Sequence, residues 1–233
     1  IGGTSENFST TLGREGSDYS AAIFASCLNA ESLTVWKDVP GIMNADPRLF
    51  KQAEKYDELP YSEALEMAYY GATVIHPKTI KPLQNAGVPL FVRPFLFPEE
   101  KGTRIDSYAK LNTDISAIIV KQDQMLLSIS SKDFSFIDEQ ILIFLLQRIS
   151  EAHIKLNMMQ RSALSLSVCF NQDETKFFKL LDILKDKFKC KYNEGLDLLT
   201  VRHFKRDELE TIIAGRTVMM EQFSRNTAQI ILQ

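Results

Sequence analysis

The stretch "SDYSAAIFASCLNAESLTVWKDVPG", residues 17–41, carries the signal that decides the fold. Its first half is rich in alanine and predicts a helix, with Ser17 and Asp18 as the two candidate N-caps. Its second half is a β-branched and aromatic run that stops at Pro40–Gly41, which is typical of a strand followed by a turn. A helix followed at once by a strand indicates an α/β fold.

The same alternation continues to about residue 96. We predict, in order, a helix, a short strand, a helix and a strand at 61–72, 73–77, 78–87 and 88–95. In the first of these helices Leu65, Ala68 and Tyr69 share one face, and Gly71 is the predicted C-cap. This spacing predicts a mostly parallel sheet covered by helices. The polar residues 97–107 are predicted to form the exit from that layer.

The pattern of predicted helices and strands changes after residue 112. The predicted elements are strand pieces, a helix, a hairpin, a second helix and a further strand, at 115–133, 136–153, 154–170, 174–188 and 196–204. This βαββαβ order is the ferredoxin-like arrangement. The remaining residues add a helix and a final hairpin. We therefore predict two domains, 1–111 and 112–233, with a tandem in the second whose second copy is shortened.

Bulk composition narrows the class of protein. The 233 residues are 45% hydrophobic with a net charge of -3, which argues against broad nucleic-acid binding. Cys27, Cys169 and Cys190 lie far apart, so neither a disulfide framework nor a zinc site is expected. No apolar run is long enough to span a bilayer. We expect a cytoplasmic protein with neither nucleic acid nor membrane as a partner.

The segment "TTLGREGSDYSAA", residues 10–22, gathers groups that bind both charges. The Arg14 guanidinium suits a carboxylate or phosphate, and a helix start adds anion-binding N–H groups. Gly13 and Gly16 let a ligand approach the backbone closely. Asp18 supplies the opposite charge, so the cluster suits a zwitterion such as an amino acid. The alternative is that Asp18 only caps the helix while Arg14 pairs with a neighbouring acid.

Three segments occur in order: "TTLGREGSDYSAA", "VWKDVPGIMNADPR" and "ALEMAYYGATVIHPKT". Together they closely resemble the aspartate kinases of the amino-acid kinase superfamily. The resemblance implies an α/β fold: the C-terminal part of an amino-acid kinase (carbamate-kinase-like) αβα layer, followed by ferredoxin-like βαββαβ ACT domains. It also implies phosphorylation of the β-carboxylate of L-aspartate by Mg-ATP, which gives 4-phospho-L-aspartate in the first step of lysine, threonine and methionine biosynthesis.

The resemblance also implies roles for individual residues. Arg14 and Ser17 would bind the substrate, and Asp18 would be catalytic by holding the catalytic lysine. The implied nucleotide-binding residues are Lys37, Asp38, Met43, Arg48, Thr73 and Val74. The cofactors would be ATP and Mg²⁺, the latter bound by the substrate phosphates. Three positions depart from the family: Lys37 replaces a common threonine, Met43 a frequent tyrosine, and Thr73 a lysine of many relatives.

The family's main phosphate-binding lysine lies in an N-terminal "KFGGTS" motif, and the "IGGTS" of residues 1–5 is not that motif. The resemblance therefore predicts that this chain alone is inactive. The alternative function is a stand-alone regulatory or dimerisation ACT subunit that binds a free amino acid. A different amino-acid kinase is disfavoured by the ACT tandem and by the "GREGSDYSAA" segment.

The ACT resemblance implies a homodimer and a free amino-acid effector, lysine or threonine. The implied effector-binding residues are Asp133, Gln140, Ile141, Leu156, Asn157 and Gln160. Asn157 stands where lysine-sensitive relatives often carry aspartate, which weakens the case for lysine. The alternative is that these polar residues only decorate a hairpin and cap a helix. Whether a homoserine dehydrogenase domain follows is left open.

Overall fold

The computed structural model of the protein describes residues 2–11, 13, 15–72 and 74–233. The chain divides into two compact units, Ile1–Ile119 and Val120–Gln233. This division lies a few residues after the predicted domain boundary, because Ala117 and Ile119 are buried in the core of the first unit.

The first unit contains three helices and six short strands within the described residues. These are β1 (Gly2–Gly3), β2 (Ser9–Thr10), α1 (Gly16–Cys27), β3 (Leu33–Lys37), β4 (Glu58–Pro60), α2 (Tyr61–Tyr70), α3 (Pro77–Ala86), β5 (Leu90–Pro94) and β6 (Thr103–Asp106). Strands β1 and β2 form a two-stranded sheet, and the other four form a sheet in the order β3-β5-β6-β4. The sheet is mixed, since β3 and β5 run parallel while β5 and β6 run antiparallel.

Strand β6 corrects the prediction that 97–107 leaves the layer. Polar Thr103 is fully buried there because its hydroxyl is satisfied, accepting from Ile42 N at 2.8 Å and donating to Tyr56 O at 2.6 Å. A polar residue with such partners can enter a core at little cost. A short sequence window cannot show partners that lie 47 and 61 residues away.

The short strand predicted before α3 is also wrong over its described residues. Val74 and Ile75 form a bend, and α3 begins at Pro77 with His76 as its N-cap. The His76 Nδ1 accepts from Lys78 N at 3.1 Å, so this histidine has a structural role. Proline at the first helical position is favoured because its missing N–H would be unpaired in any case.

Helix α2 ends as predicted, and its buried face overlaps the predicted one only in part. Gly71 adopts φ 118° as the C-cap, a left-handed conformation that glycine accepts without strain. The buried face carries Tyr61, Ala64 and Met67, whereas Tyr69 is exposed. Of the three residues predicted to share a face, Leu65 still packs against the core, at the edge of the buried face.

The second unit is built on one six-stranded sheet. Its elements are β7 (Ala117–Ser131), α4 (Glu139–Glu151), β8 (Leu156–Arg161), β9 (Ser165–Asn171), α5 (Glu174–Leu184), β10 (Phe188–Arg202), α6 (Arg206–Ile213), β11 (Val218–Phe223) and β12 (Thr227–Leu232). The strand order is β11-β12-β10-β7-β9-β8, and the division between the two units falls inside β7.

One part of this order is the predicted ferredoxin-like unit. Strands β7 to β10 lie in the order fourth, first, third, second, with α4 and α5 in the connections, which is the ferredoxin-like βαββαβ arrangement. Helix α6 and the hairpin of β11 and β12 follow, and β12 pairs with β10. The two strand pieces predicted at 115–133 are one strand, in which Asp123 takes φ 53° between them.

Apolar residues occupy both faces of this sheet. Met125, Leu127 and Ile129 alternate along β7 into one cluster, while Leu126 belongs to another. Leu166, Val168 and Phe170 alternate along β9 into the same cluster as Met125. Within the described residues, no helix is long and apolar enough to cross a membrane.

Candidate functional site

The clearest charged contact in the first unit joins the start of α1 to the end of β3. Asp18 lies in the first turn of α1, and Lys37 is the last residue of β3. The Lys37 Nζ donates to Asp18 Oδ2 at 2.7 Å, with 24% and 13% of the two side chains exposed. The pair therefore lies at the carboxyl end of a parallel strand, the edge at which α/β sheets bind ligands.

The start of α1 differs from the prediction. Glu15, not Ser17 or Asp18, is the N-cap; it has φ 56° and makes no capping hydrogen bond through its side chain. Ser17 is exposed and Asp18 is inside the helix, where Lys37 engages its carboxylate. Carboxylates are stabilised in a first helical turn by the helix dipole, so Asp18 keeps a favourable place without being the cap. Arg14 lies outside the described residues.

The predicted nucleotide-binding residues are distributed unevenly around this pair. Asp38 is exposed beside Lys37, whereas Met43 is half-buried in an isolated bridge with Lys55. Val74 is half-buried against the core of the first unit. Thr73 lies outside the described part of the chain.

Arg48 has a partner close in sequence. Its Nε and Nη2 donate to the Asp46 carboxylate at 3.0 and 2.6 Å, and 84% of its side chain is exposed. The hydrogen bonds from Arg48 hold the pKa of the Asp46 carboxyl below its usual value. The guanidinium therefore shares its charge with a neighbouring acid, and an exposed pair of this kind contributes little stability.

The predicted effector residues fall into two groups. Asp133 lies in the loop after β7, where its Oδ1 accepts from Ser135 N at 3.1 Å. The hydrogen bonds from Ser135 lower the pKa of the Asp133 carboxyl. Gln140 is exposed in the first turn of α4, and Ile141 packs against the core beneath that helix.

The second group lies on β8, where Leu156 packs against the same core and Gln160 is exposed. Strand register shows that Asn157 is distant from the loop at Asp133. The side chain of Asn157 contacts Gln124 at the middle of β7, and the loop follows Ser131 at its end. Seven residue steps of β-strand separate these two points by about 20 Å. The second unit taken alone therefore keeps Asn157 apart from the loop that carries Asp133.

Asn157 is the centre of a polar network that sequence reasoning missed. Its Oδ1 accepts from Lys121 Nζ at 2.9 Å, and its Nδ2 donates to Gln124 Oε1 and Asn171 Oδ1, both at 2.7 Å. The Gln124 amide in turn donates to Asn171 Oδ1 at 3.2 Å. These residues come from three strands, so only the pairing register could have identified them.

The network is uncharged apart from Lys121. Burial and the charge of Lys155 lower the pKa of the Lys121 ammonium, and burial raises the pKa of the neighbouring Cys169 thiol to about 12. Gln124 is 1% exposed, so its amide depends on protein partners.

We expect Asn157→Ala to lower the free energy of unfolding by about 1–3 kcal/mol, because the buried Gln124 amide then loses a partner that water cannot replace. Urea denaturation followed by circular dichroism measures the change. Asn85→Ala on the exposed side of α3 is the matched control and should change stability by no more than about 0.5 kcal/mol. An Asn157 variant as stable as this control would show that the network contributes nothing.

A pocket of about 400 Å³ lies at the C-terminal end of β7. Its lining residues are Ser130, Ser131, Lys132, Phe134, Leu164, Ser165 and Lys189. None of the predicted effector residues lines it, although Lys132 and Phe134 flank Asp133. Two ammonium groups and three hydroxyls give it the chemistry to hold a carboxylate. A second pocket, of about 430 Å³, includes Leu156 and lies beside the end of α4.

Comparison with known proteins agrees with this architecture. The amino acid kinase family model matches residues 1–94. Lysine-sensitive aspartokinase 3 of Escherichia coli is 39% identical over 131 residues, which cover 56% of this chain and 29% of that protein. The matched region thus spans less than a third of the length of that relative.

Two crystal structures of E. coli aspartokinase III are similar over nearly the whole chain. The complex with aspartate and ADP, in the R-state, has a TM-score of 0.81 and 25% identity, covering 100% of this chain and 55% of that one. The complex with lysine and aspartate, in the T-state, has a TM-score of 0.77 and 27% identity, covering 99% and 55%. These matches confirm the predicted fold class. The chain belongs to the amino acid kinase family and, within it, to the aspartokinases.

Proposed function

We propose that the protein containing this chain transfers the γ-phosphoryl group of Mg-ATP to the β-carboxylate of L-aspartate. The observation that carries this proposal is the Asp18–Lys37 pair at the carboxyl end of β3, inside the region that matches the kinase family. The similar E. coli aspartokinase III binds aspartate and ADP, which supports the same two substrates here. The product, 4-phospho-L-aspartate, begins lysine, threonine and methionine biosynthesis.

In the proposed step a β-carboxylate oxygen of aspartate attacks the γ-phosphorus. The new O–P bond forms as the bond from that phosphorus to the β–γ bridging oxygen breaks, and ADP leaves with the electron pair. The attacking carboxylate is ionised at neutral pH, so no proton has to move. The protein's contribution is therefore positioning and neutralisation of negative charge.

The residues would divide this work as follows. Arg14 would hold the α-carboxylate of aspartate in a two-point contact, with Ser17 beside it. Asp18 would orient a lysine ammonium at the reacting phosphoryl group. The proposed nucleotide contacts are Lys37, Asp38, Met43, Arg48, Thr73 and Val74. The Mg²⁺ ion would arrive as part of the Mg-ATP substrate, on its phosphate oxygens.

The second unit would bind a free amino acid and dimerise. The E. coli relative binds lysine, so lysine and threonine are the effectors to test. The pocket beside the loop after β7 supports this proposal, since Lys132 and Lys189 suit an effector carboxylate. The hydrogen bonds that occupy Asn157 favour a structural role for that residue. An effector would act by binding the active and inactive states with different affinity.

The test is ADP formation by the protein containing this chain, with and without L-aspartate, with the acyl phosphate trapped as its hydroxamate. We expect turnover that needs L-aspartate and Mg-ATP, yields hydroxamate, and is at least tenfold slower with L-glutamate. Lysine and threonine are then added separately, and one of them should inhibit. ADP formation that does not depend on aspartate would overturn the proposed reaction.

A further inference from the structure

Lys37 differs from the other lysines of the first unit in how its charge is held. Its partner Asp18 lies 19 residues away on another element, and most of both side chains is buried. By contrast, Lys55 pairs with Asp57, which is close in sequence and 93% exposed. An ion pair removed from water is costly unless its geometry is fixed, so such a pair indicates a site where orientation matters.

We infer that Lys37 supplies the positive charge that neutralises the transferring phosphoryl group, and that Asp18 is the positioning residue that holds its ammonium. This inference rests on the proposed function and assigns one residue within it. It places the cation on β3 of this chain, at the carboxyl edge of the sheet.

The Lys37 ammonium has N–H donors that a ligand could use. A lysine ammonium has three N–H donors, and Asp18 takes one of them. Among the described residues Lys37 has no other hydrogen-bond partner, and 24% of its side chain remains exposed. Two donors are therefore available to phosphate oxygens while the first keeps the ammonium in place.

The local charge is favourable as well. The Asp18 carboxylate lies in the first turn of α1, where the helix dipole contributes about half a positive charge. The carboxylate, the ammonium and the helix terminus together leave net positive potential toward the ligand side. An unpaired carboxylate at this point would repel the phosphates.

The other residues proposed to bind nucleotide do not offer an equivalent cation. Arg48 is almost fully solvated and its charge is shared with Asp46. Asp38 is acidic, and Met43, Thr73 and Val74 are neutral. Lys37 is therefore the member of that group that combines a full charge, a fixed position and unused donors.

The first experiment compares Lys37→Met, which keeps the apolar stem, with Lys37→Arg, which keeps the charge. In the protein containing this chain, we expect Lys37→Met to lower kcat about 100- to 1,000-fold, as for loss of one charge-stabilising donor. The KM for aspartate should stay within threefold. Lys37→Arg should retain at least tenfold more activity than Lys37→Met. Exposed Lys101→Met is the matched control and should keep wild-type kcat.

The second experiment is a double-mutant cycle with Asp18→Asn. If Asp18 acts through Lys37, the double variant should be no slower than Lys37→Met alone. Multiplicative losses would overturn the positioning role. A Lys37→Met variant within threefold of the wild-type kcat would overturn the inference altogether. So would equal losses of activity and melting temperature in Lys37→Met and Lys37→Arg, since the pair would then be structural. A wild-type protein without aspartate-dependent turnover would instead contradict the proposed function.

Discussion

Asp18→Asn is expected to lower kcat for aspartate-dependent ADP formation about 100- to 1,000-fold, while leaving the KM for ATP within a few-fold. The asparagine amide is nearly isosteric with the carboxylate but carries no charge. Its amide oxygen could still accept a hydrogen bond from the Lys37 ammonium, which is now 2.7 Å from the Asp18 oxygen, but without the attraction of a full negative charge. A loosely held ammonium moves away from the reacting phosphoryl group, and a shift of about 1 Å is enough to cost 100-fold in rate.

The control for Asp18→Asn is Asp182→Asn, which breaks an exposed pair between Asp182 in α5 and Lys185, the C-cap of that helix. This control should leave kcat unchanged, because a solvated pair on a helix surface contributes less than about 1 kcal/mol. Melting curves of both variants show whether the first unit stays folded. An Asp18→Asn enzyme that keeps more than a third of the wild-type kcat would contradict the proposed role of the pair.

Gly102→Ala is expected to reduce the free energy of unfolding of the first unit by about 3 kcal/mol or more. Gly102 precedes β6 with φ 66°, where a Cβ would lie 2.0 Å from the Val92 carbonyl oxygen of β5. The backbone of β5 cannot move away without disturbing its pairing with β6, which joins Val92 to Thr103. The substitution adds a steric clash to the strain of a left-handed alanine.

Gly87→Ala separates these two costs. Gly87 has φ 67°, nearly the same as Gly102, but nothing lies within 4 Å of the Cβ that alanine would add. It should cost only the left-handed strain, about 1 kcal/mol. Urea denaturation followed by fluorescence reports on the first unit alone, because Trp36 on β3 is the sole tryptophan of the chain. Equal losses in the two variants would show that β5 relaxes around the methyl group.

Much of the fold could be predicted because its signals are local. Glycine C-caps, strand-ending prolines and helical periodicity act within a few residues, and α1, β3, α2, α3 and β5 follow them closely. The hairpin of β8 and β9 could also be predicted, because apolar residues alternate at Leu166, Val168 and Phe170. Strand β6 was missed because its polar Thr103 is satisfied only by residues distant in sequence.

The candidate site was predicted less completely. Residue types at 10–22 indicated where charges gather, but not that Asp18 would leave the capping role to Glu15 and pair with Lys37. The family resemblance implied a set of effector residues. It could not show that the Asn157 side chain is hydrogen-bonded to Lys121 and Gln124.

The helices, the βαββαβ pattern after residue 112 and the resemblance to the aspartate kinases could be predicted from the sequence, whereas β4 and β6 could not. These features depend on the propensities of neighbouring residues, on periodicity and on short motifs, all of which can be recognised without knowing which residues are in contact. The pairing of charged and polar side chains could be seen only in the folded structure. The Asp18–Lys37 pair, the Asn157 network and the distance between Asn157 and Asp133 depend on strand register and helix placement, because these bring together or keep apart groups that the chain alone does not relate.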